Sequence, residues 1–373
     1  MAMPQSPVVP EHFQKTDYAE LSGWPEDDQL GALNAFLRFC GLSSSDVLSG
    51  ALGYGPSGVA KLCKTAQEAP IRTAEDARRF LESRFTPYRV RSSGFVTGYF
   101  EPEVSASRIR TEHFATPLHG KPAGLEAVNA ETRPKDWPAD LTHGRRQGDR
   151  LTEMPDRAAI MDGALDHEQL ELVWLADPID AYFIHVQGSA RLRLTDGSVM
   201  RVGYAGKSGH PYTGIGRLLV KRGEGAPEDF TMSGLRTWLS ANPHQRNSLF
   251  RENRSYIFFR EVHETTPDQG PIGAAGLPLV PGRSLAVDAG QLPYGALVFV
   301  NADFETPETG ANAYARLMVA DDTGSAIKGP ARGDIFVGSG AHAGEIAGDI
   351  RHRADFTILV PNEPDPGRQT VTD

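Results

Sequence analysis

The chain has 373 residues, of which 39% are hydrophobic and 23% are charged. This length predicts about two domains, and the balance of apolar and charged residues excludes an intrinsically disordered chain. The formal net charge of -10 disfavours a nucleic-acid-binding surface, because such surfaces use Lys and Arg to neutralise phosphates.

The first hundred residues carry helical signals followed by a strand. In DDQLGALNAFLRFCGL, residues 27–42, the apolar residues recur at helical spacing. Residues 73–76, TAED, resemble a capping box at the start of a second amphipathic helix. The stretch SGFVTGYFEPEV is rich in β-branched and aromatic residues and contains Pro102, which predicts a strand that enters a turn. We place a domain boundary near residue 103.

The remainder of the chain predicts mostly short strands. Residues 103–165 are polar and rich in Pro, Gly and Arg, and residues 170–209 alternate like strands around the hairpin turn Thr195-Asp-Gly-Ser. The stretches TGIGRLLVKRG and FTMSGLRTWLSAN then predict helices. From SYIFFREV to FTILVP, a second series of short strands with glycine turns suggests a small barrel.

The two cysteines and the N-terminus bear on the cellular compartment. Cys40 and Cys63 lie close together in the helical region, which is compatible with one disulfide or with two free buried thiols. The sequence contains no run of about 18 apolar residues, and its start lacks the charged-then-apolar pattern of a signal peptide. We therefore expect either a cytoplasmic protein or one whose leader has been removed.

Common phosphate and metal motifs fail on their spacing. The stretch GYAGKSGH suggests a phosphate-binding loop, but Arg201 stands where that motif requires a glycine. The 11 histidines show neither His-x3-His nor Cys-x2-Cys spacing. We expect neither a metal nor an organic cofactor.

Aspartates in glycine-rich turns are the remaining candidates for chemistry. Asp322-Thr-Gly follows an apolar run, as in aspartic peptidases, and Asp288-Ala-Gly is a candidate partner that would share a proton with it. Only 34 residues separate the two aspartates, which is too few for two full peptidase lobes. Asp334 lies in the similar stretch GDIFVGSG. The plain alternative is that all three stabilise turns, because Asp before Gly is common where strands reverse.

Four ordered stretches distinguish these interpretations, namely GYFEPEV, VQGSARLRLTDGSVMRVGYAGKSGHPYTGIGRLLVKRG, GLPLVPGRSLAVDAGQLPYGALVFV and ARLMVADDTGSAIKGPARGDIFVGSG. They resemble the membrane-bound lytic murein transglycosylase A family, and Asp288, Asp322 and Asp334 match its three-aspartate (3D) domain. The resemblance implies a mainly β fold with peripheral helices, in which a double-psi β-barrel is interrupted by a second, smaller β-barrel domain. Residues 1–102 plus 245–373 would form the catalytic barrel with N-terminal helices, and residues 103–244 the inserted glycan-binding barrel.

The resemblance also implies a reaction. The family cleaves the β-1,4 bond between N-acetylmuramic acid and N-acetylglucosamine and closes a 1,6-anhydro ring on the muramyl product. Because the sugar's own C6 hydroxyl is the nucleophile, one aspartate suffices as acid and then base, and by motif position this is Asp334. Asp322 and Asp288 would support it. Glu101 and Glu103 are alternative second carboxylates, which would favour ordinary hydrolysis.

For glycan binding the resemblance points to aromatic, amide, hydroxyl and ammonium side chains, namely Thr97, Tyr99, Gln187, Ser189, Tyr204 and Lys207. For Tyr99 the alternative is that it is an aromatic residue in the core of a strand.

The expected partner is the peptidoglycan glycan strand, in a monomeric protein that a cell-wall enzyme complex could include. The expected location is the periplasm, with outer-membrane association left open because the sequence has no N-terminal lipid-attachment cysteine. A module that binds peptidoglycan without cutting it is the alternative function.

Overall fold

The structure is a computed structural model that describes residues 10–42, 52, 56–266, 268–304 and 313–362. Its helices are α1 (Gln29–Leu37), α2 (Pro56–Glu68), α3 (Ala74–Arg84), α4 (Arg157–Met161), α5 (Pro178–Gln187), α6 (Ile215–Lys221), α7 (Met232–Ala241), α8 (Pro243–Glu252) and α9 (Ala341–Asp349). Its strands are β1 (Phe13–Lys15), β2 (Phe85–Val90), β3 (Gly94–Glu101), β4 (Glu103–Ser107), β5 (Thr116–His119), β6 (Leu125–Ala127), β7 (His143–Gln147), β8 (Arg150–Thr152), β9 (Glu171–Leu175), β10 (Ser189–Leu194), β11 (Val199–Lys207), β12 (Ile257–Val262), β13 (Ser284–Val287), β14 (Leu297–Ala302), β15 (Tyr314–Thr323), β16 (Arg332–Ser339) and β17 (Arg351–Pro361).

The chain divides into two compact units. The first unit consists of Met1–Phe100, Pro267–Gly338 and Asp349–Asp373, and the second of Glu101–Thr266 and Ser339–Gly348. Both units are built around β-sheets, and most helices lie outside them. The mainly β fold with peripheral helices that the sequence predicts is confirmed.

The first unit contains a closed barrel. Its strands follow the order β17-β14-β15-β13-β16-β3, and β3 also pairs with β17, so that the sheet closes on itself. The pair β13–β15 is parallel, whereas β13–β16 and β14–β15 are antiparallel. This six-stranded closed arrangement agrees with the double-psi β-barrel that the family resemblance implies. We call it the first barrel.

The N-terminal helices of the first unit begin where the sequence predicts. The side chain of Asp28 accepts a hydrogen bond from the backbone N–H of Gly31 at the start of α1, and Thr73 with Asp76 forms the predicted capping box of α3. A disulfide joins Cys40, just after α1, to Cys63 in α2. The pairing that the sequence left open is therefore present.

The second unit contains a second closed barrel. Its sheet follows the order β12-β11-β10-β4-β9-β5, and a bridge between Gly120 and Phe259 closes it. Strands β6, β7 and β8 form a separate small sheet. Strand β12, which the sequence groups with the C-terminal series, pairs here with β11 in the second barrel. We call this six-stranded sheet the second barrel.

The core of the second unit includes buried titratable side chains. The Nδ1 atom of His119 lies 2.7 Å from the hydroxyl of Tyr256, and Nδ1 of His185 accepts a hydrogen bond from the N–H of Ile257 at 3.1 Å. Burial lowers the pKa of both histidines, and for His185 nearby Arg157 lowers it further. Both imidazoles are therefore held neutral at physiological pH.

Among the described residues, no helix combines the length and the apolar character needed to cross a lipid bilayer.

Candidate active site

Strands of the first barrel position two of the three aspartates. Asp322 lies in β15 and Asp334 in β16, and β13 runs between these two strands. Ala286 of β13 is paired with Asp322 on one side and with Asp334 on the other. Residues that are directly paired across strands project to the same face, and neighbouring strands lie about 4.8 Å apart. The two aspartates therefore share one face of the barrel wall, with only the small side chain of Ala286 between them.

Asp334 is a half-buried carboxyl with one engaged oxygen. The hydroxyl of Thr97 donates to its Oδ1 at 2.5 Å, and Nη2 of Arg332 donates to the Thr97 hydroxyl at 2.7 Å. Burial raises the pKa of Asp334 to about 6, against the opposing effects of Thr97 and Arg332, and the charge of Asp322 adds to the increase. A carboxyl with this pKa is partly protonated near neutral pH and can donate a proton.

Asp322 is held as a hydrogen-bond acceptor on both oxygens. The Tyr99 hydroxyl donates to Oδ2 at 2.8 Å, and the backbone N–H of Ala274 donates to Oδ1 at 2.9 Å. Burial raises the pKa of Asp322, and these donors oppose the increase because they stabilise the carboxylate. The ring of Tyr99 is 9% exposed and packs on Phe336 with 5.3 Å between ring centroids. Tyr99 therefore offers no open face to a sugar, and its placement favours positioning of Asp322.

Asp288 follows β13 and binds turn backbone. Its Oδ1 accepts from the N–H of Gly290 at 3.2 Å, and its Oδ2 accepts from the N–H of Gly329 at 2.8 Å. The ammonium of Lys328 lies 3.7 Å from Oδ1. Within the described residues, no hydrogen bond joins Asp288 to Asp322, so the shared proton of an aspartic peptidase is not formed here.

A buried charged group next to Asp322 was missed by the sequence reasoning. Asp321 is fully buried, its Oδ2 accepts from the Ser284 hydroxyl at 2.6 Å, and Arg38 lies 3.0 Å from the same oxygen. Burial raises the pKa of Asp321 to about 7. The only sequence signal was a second aspartate beside Asp322, and the pairing with Arg38 spans 283 positions. Arg332 was missed because its contact with Thr97 is also long-range.

The alternative second carboxylates are engaged in ion pairs. Glu101 is fully buried, lies 2.7 Å from Nε of Arg201 and accepts a hydrogen bond from the Ser339 hydroxyl at 2.7 Å. Glu103 pairs with Arg193 at 3.3 Å. A buried carboxylate bound to a guanidinium is a poor nucleophile or base, so this geometry disfavours hydrolysis through Glu101.

The other predicted glycan-binding residues lie in the second unit. Gln187 ends α5, Ser189 starts β10 opposite Gly203, and Tyr204 follows in β11. Ser189 is 8% exposed and Tyr204 is 48% exposed, so the tyrosine offers much more surface to a ligand than the serine does. The pairing of β11 with β12 shifts register between Tyr204 and Gly206, which changes how the end of the strand presents its side chains.

Lys207 ends β11 in a positively charged environment. It lies near His143, and so does Lys121. Burial lowers the pKa of His143 to about 4, with smaller contributions from the two ammonium groups. The two ammonium groups therefore reinforce the neutral state of the His143 imidazole.

Metal ligation finds no support in this geometry. Within the described ranges, no group of three or more His, Cys, Asp or Glu side chains is arranged to hold a metal ion.

Comparisons with known proteins cover both barrels. Residues 95–260 match the MltA specific insert domain, and residues 283–360 match the 3D domain. The chain is 32% identical over 268 residues to membrane-bound lytic murein transglycosylase A of Escherichia coli strain K12, a match that covers 70% of this chain. It spans 64% of the length of that relative.

Two solved structures resemble the chain over almost its whole length. One is a membrane-bound lytic murein transglycosylase from Agrobacterium tumefaciens, with 38% identity, a TM-score of 0.87, and coverage of 94% of this chain and 97% of that one. The other is MltA from Neisseria gonorrhoeae in a monoclinic form, with 31% identity, a TM-score of 0.75, and coverage of 97% and 98%. The described fold is therefore that of these proteins.

Proposed function

Because the chain belongs to the membrane-bound lytic murein transglycosylase A family, we propose that it cleaves peptidoglycan glycan strands between N-acetylmuramic acid and N-acetylglucosamine. The product would carry a 1,6-anhydromuramyl end. The observation that carries this proposal is Asp334, whose pKa of about 6 suits a group that donates and then accepts a proton.

In the proposed reaction Asp334 acts alone on the protons. The neutral carboxyl donates its proton to the glycosidic oxygen as the bond to C1 of the muramyl residue breaks. The resulting carboxylate accepts the proton of the C6 hydroxyl as O6 bonds to C1. The carboxyl ends in the state in which it began, and no water enters the product. A second catalytic carboxylate is unnecessary, which agrees with the ion-paired state of Glu101.

We assign supporting roles to the other two aspartates. Asp322, fixed by Tyr99 and Ala274, places a negative charge near Asp334 that helps to keep its pKa high. Asp288 ties its own turn to the backbone at Gly329. Both contributions act on the geometry or the charge around Asp334, and neither requires contact with substrate.

For substrate binding we propose the inserted part of the chain, residues 103–244, with Gln187, Tyr204 and Lys207 as the contacting residues. Tyr204 presents an exposed ring on which a sugar can stack, and amide and ammonium groups bind acetamido and lactyl substituents. Thr97, Tyr99 and Ser189 are better suited to positioning, because Thr97 and Tyr99 bond aspartates and Ser189 is buried.

The disulfide favours an oxidising compartment, and we infer a periplasmic location. Peptidoglycan lies in that compartment. Association with the outer membrane or with a cell-wall enzyme complex is a further proposal, which co-purification from membranes would test.

Mass spectrometry of products from purified peptidoglycan sacculi tests the function. Wild type should release anhydromuropeptides, and Asp334→Asn should release none, whereas Asp355→Asn on an exposed position of β17 should behave like wild type. Products from wild type that carry reducing ends would show that the enzyme is a hydrolase and not a transglycosylase. Binding to sacculi without any release by wild type would support a non-cutting module.

A further inference from the structure

Arg332 and Thr97 form a chain of hydrogen bonds that ends on Asp334. Nη2 of Arg332 lies 2.7 Å from Oγ1 of Thr97, and Oγ1 lies 2.5 Å from Oδ1 of Asp334. A guanidinium has only donors, and a hydroxyl has one proton to donate. Thr97 must therefore accept from Arg332, and its single proton points at Oδ1 of Asp334.

The direction of these two hydrogen bonds distinguishes the two oxygens of Asp334. A proton on Oδ1 would force the Thr97 hydroxyl to rotate and to give up its donation to this oxygen, whereas a proton on Oδ2 leaves that hydrogen bond intact, so the arrangement favours protonation on Oδ2. Oδ2 accepts no hydrogen bond from any described residue. Oδ2 is not among the buried side-chain atoms that lack a hydrogen-bond partner, so this second oxygen reaches solvent and is open to a ligand.

Arg332 is itself fixed in place by two further contacts. Its Nη1 donates to the carbonyl of Gly333, and its Cζ lies 5.7 Å from the centroid of the Phe95 ring. A guanidinium held by its own backbone and by an aromatic ring has little freedom to release Thr97. The orientation of the Thr97 hydroxyl is therefore set before substrate binds.

We propose that Arg332 is a positioning residue that locks the Thr97 hydroxyl onto Oδ1 and thereby confines both proton transfers of Asp334 to Oδ2. This inference rests on the proposed transglycosylase reaction. The proton on Oδ2 moves to the glycosidic oxygen, and the same Oδ2 accepts the proton of the C6 hydroxyl as O6 bonds to C1. Oδ1 neither gains nor loses a proton, so the carboxyl does not need to rotate between the two steps.

Burial has the largest effect on the pKa of Asp334 and favours the neutral acid, and three neighbouring groups add to the balance. Thr97 on β3 and Arg332 on β16 favour the carboxylate, whereas Asp322 on β15 favours the neutral acid. The Tyr99 hydroxyl on β3 is committed to Asp322. Removing the Thr97 hydroxyl or the Arg332 charge must therefore raise the pKa of Asp334.

The pH dependence of turnover tests the positioning role. In Thr97→Val and Arg332→Met, the alkaline limb of kcat should move up by about one pH unit, because a hydrogen bond or charge that stabilises the carboxylate is lost. We expect kcat to fall about tenfold or more, with a smaller change in KM. Thr97→Ser should retain the wild-type limb, and the exposed Arg89→Gln is the control for loss of one positive charge.

Infrared difference spectra between low and high pH give a second readout that does not need turnover. The carbonyl band of protonated Asp334 is identified by its absence in Asp334→Asn. It should move to higher wavenumber in Thr97→Val, because Oδ1 loses its donor, and it should broaden in Arg332→Met as the Thr97 hydroxyl becomes free to rotate. Arg332→Gln, which keeps a donor, provides a milder change if the methionine variant folds poorly.

The outcomes separate the two proposals. The positioning role would be overturned if folded Thr97→Val and Arg332→Met kept the wild-type alkaline limb of kcat and an unshifted carbonyl band of Asp334. This holds even if wild type forms anhydro products. Wild type without anhydro products, together with a shifted band in the variants, would instead reject the reaction and leave the orientation of the proton supported.

Discussion

Replacing Asp334 by Asn should stabilise the protein at alkaline pH while it abolishes the proposed reaction. The pKa of Asp334 is raised by burial from 3.8 to about 6. A folded carboxyl with a raised pKa binds more protons than the unfolded chain between these values, so stability decreases as pH rises through this window. An amide cannot ionise, and its oxygen can still accept the hydrogen bond from Thr97.

The size of the effect follows from the shift. About two pKa units correspond to about 3 kcal/mol at pH 8, where the carboxyl is ionised in both states. At pH 4.5 the same calculation gives a difference in the free energy of unfolding of about 1 kcal/mol, because the folded carboxyl is protonated there while the unfolded carboxyl is largely ionised. Asp334 is half-buried and solvent screens part of its charge, so we expect a gain of about 1–3 kcal/mol at pH 8.

Urea unfolding of wild type and Asp334→Asn at pH 8 and pH 4.5 measures this directly. The buried Trp24 of the first unit, in edge contact with Phe299, provides a fluorescence signal. Asp355→Asn, on an exposed position of the same barrel, should show no comparable gain. An Asp334→Asn variant that is no more stable than wild type at pH 8, or equally more stable at both pH values, would refute the argument that burial destabilises the charged carboxyl.

The remaining predictions concern stability. Replacing Cys40 and Cys63 by Ser should cost about 3 kcal/mol in urea unfolding under non-reducing conditions, because the disulfide closes a loop with a sequence separation of 23; an unchanged midpoint would contradict this. Acidification below about pH 6.5 should lower the free energy of unfolding of wild type more than that of His185→Gln. The reason is that His185 takes up a proton in the unfolded chain, whereas the buried imidazole with its lowered pKa does not. Equal losses of stability in the two proteins at pH 5 would exclude His185 as the cause. Gly94→Ala should cost about 1–3 kcal/mol by urea unfolding, because the new Cβ would lie 2.4 Å from a backbone carbonyl, whereas Gly41→Ala meets nothing within 4 Å and should cost less.

Local sequence signals were sufficient for several elements. The capping residues Thr73 and Asp76 define the start of α3 without reference to the rest of the chain. The turn at Thr195-Asp-Gly-Ser connects β10 and β11 as a hairpin, as alternation and turn chemistry predict. The aspartates of the site were accessible through their glycine-rich turns and through the family resemblance.

Long-range pairing limited the rest. Strand β12 pairs with β11 rather than with the later strands, and its apolar sequence fits either sheet equally well. The burial of Asp321 beside Arg38 depends on a contact across 283 positions. The hydroxyl of Thr97 could have bound a sugar or a carboxylate, and only the barrel pairing places it on Asp334. Such contacts carry no periodicity or motif that a single sequence displays.

The closure of the first barrel by β3 and β17 has a consequence for folding. Gly94 pairs with Ala354 and Thr97 with Arg351, so the strands that complete this barrel are 254 to 260 positions apart. The intervening segment Glu101–Thr266 supplies most of the second unit and can collapse on contacts of shorter range. We therefore expect the second unit to form early and the first barrel to be the slow step, because closure of this barrel waits for β17. A chain that ends before residue 351 would leave β3 and β14 with unpaired edges, and these edges would favour aggregation over the native state.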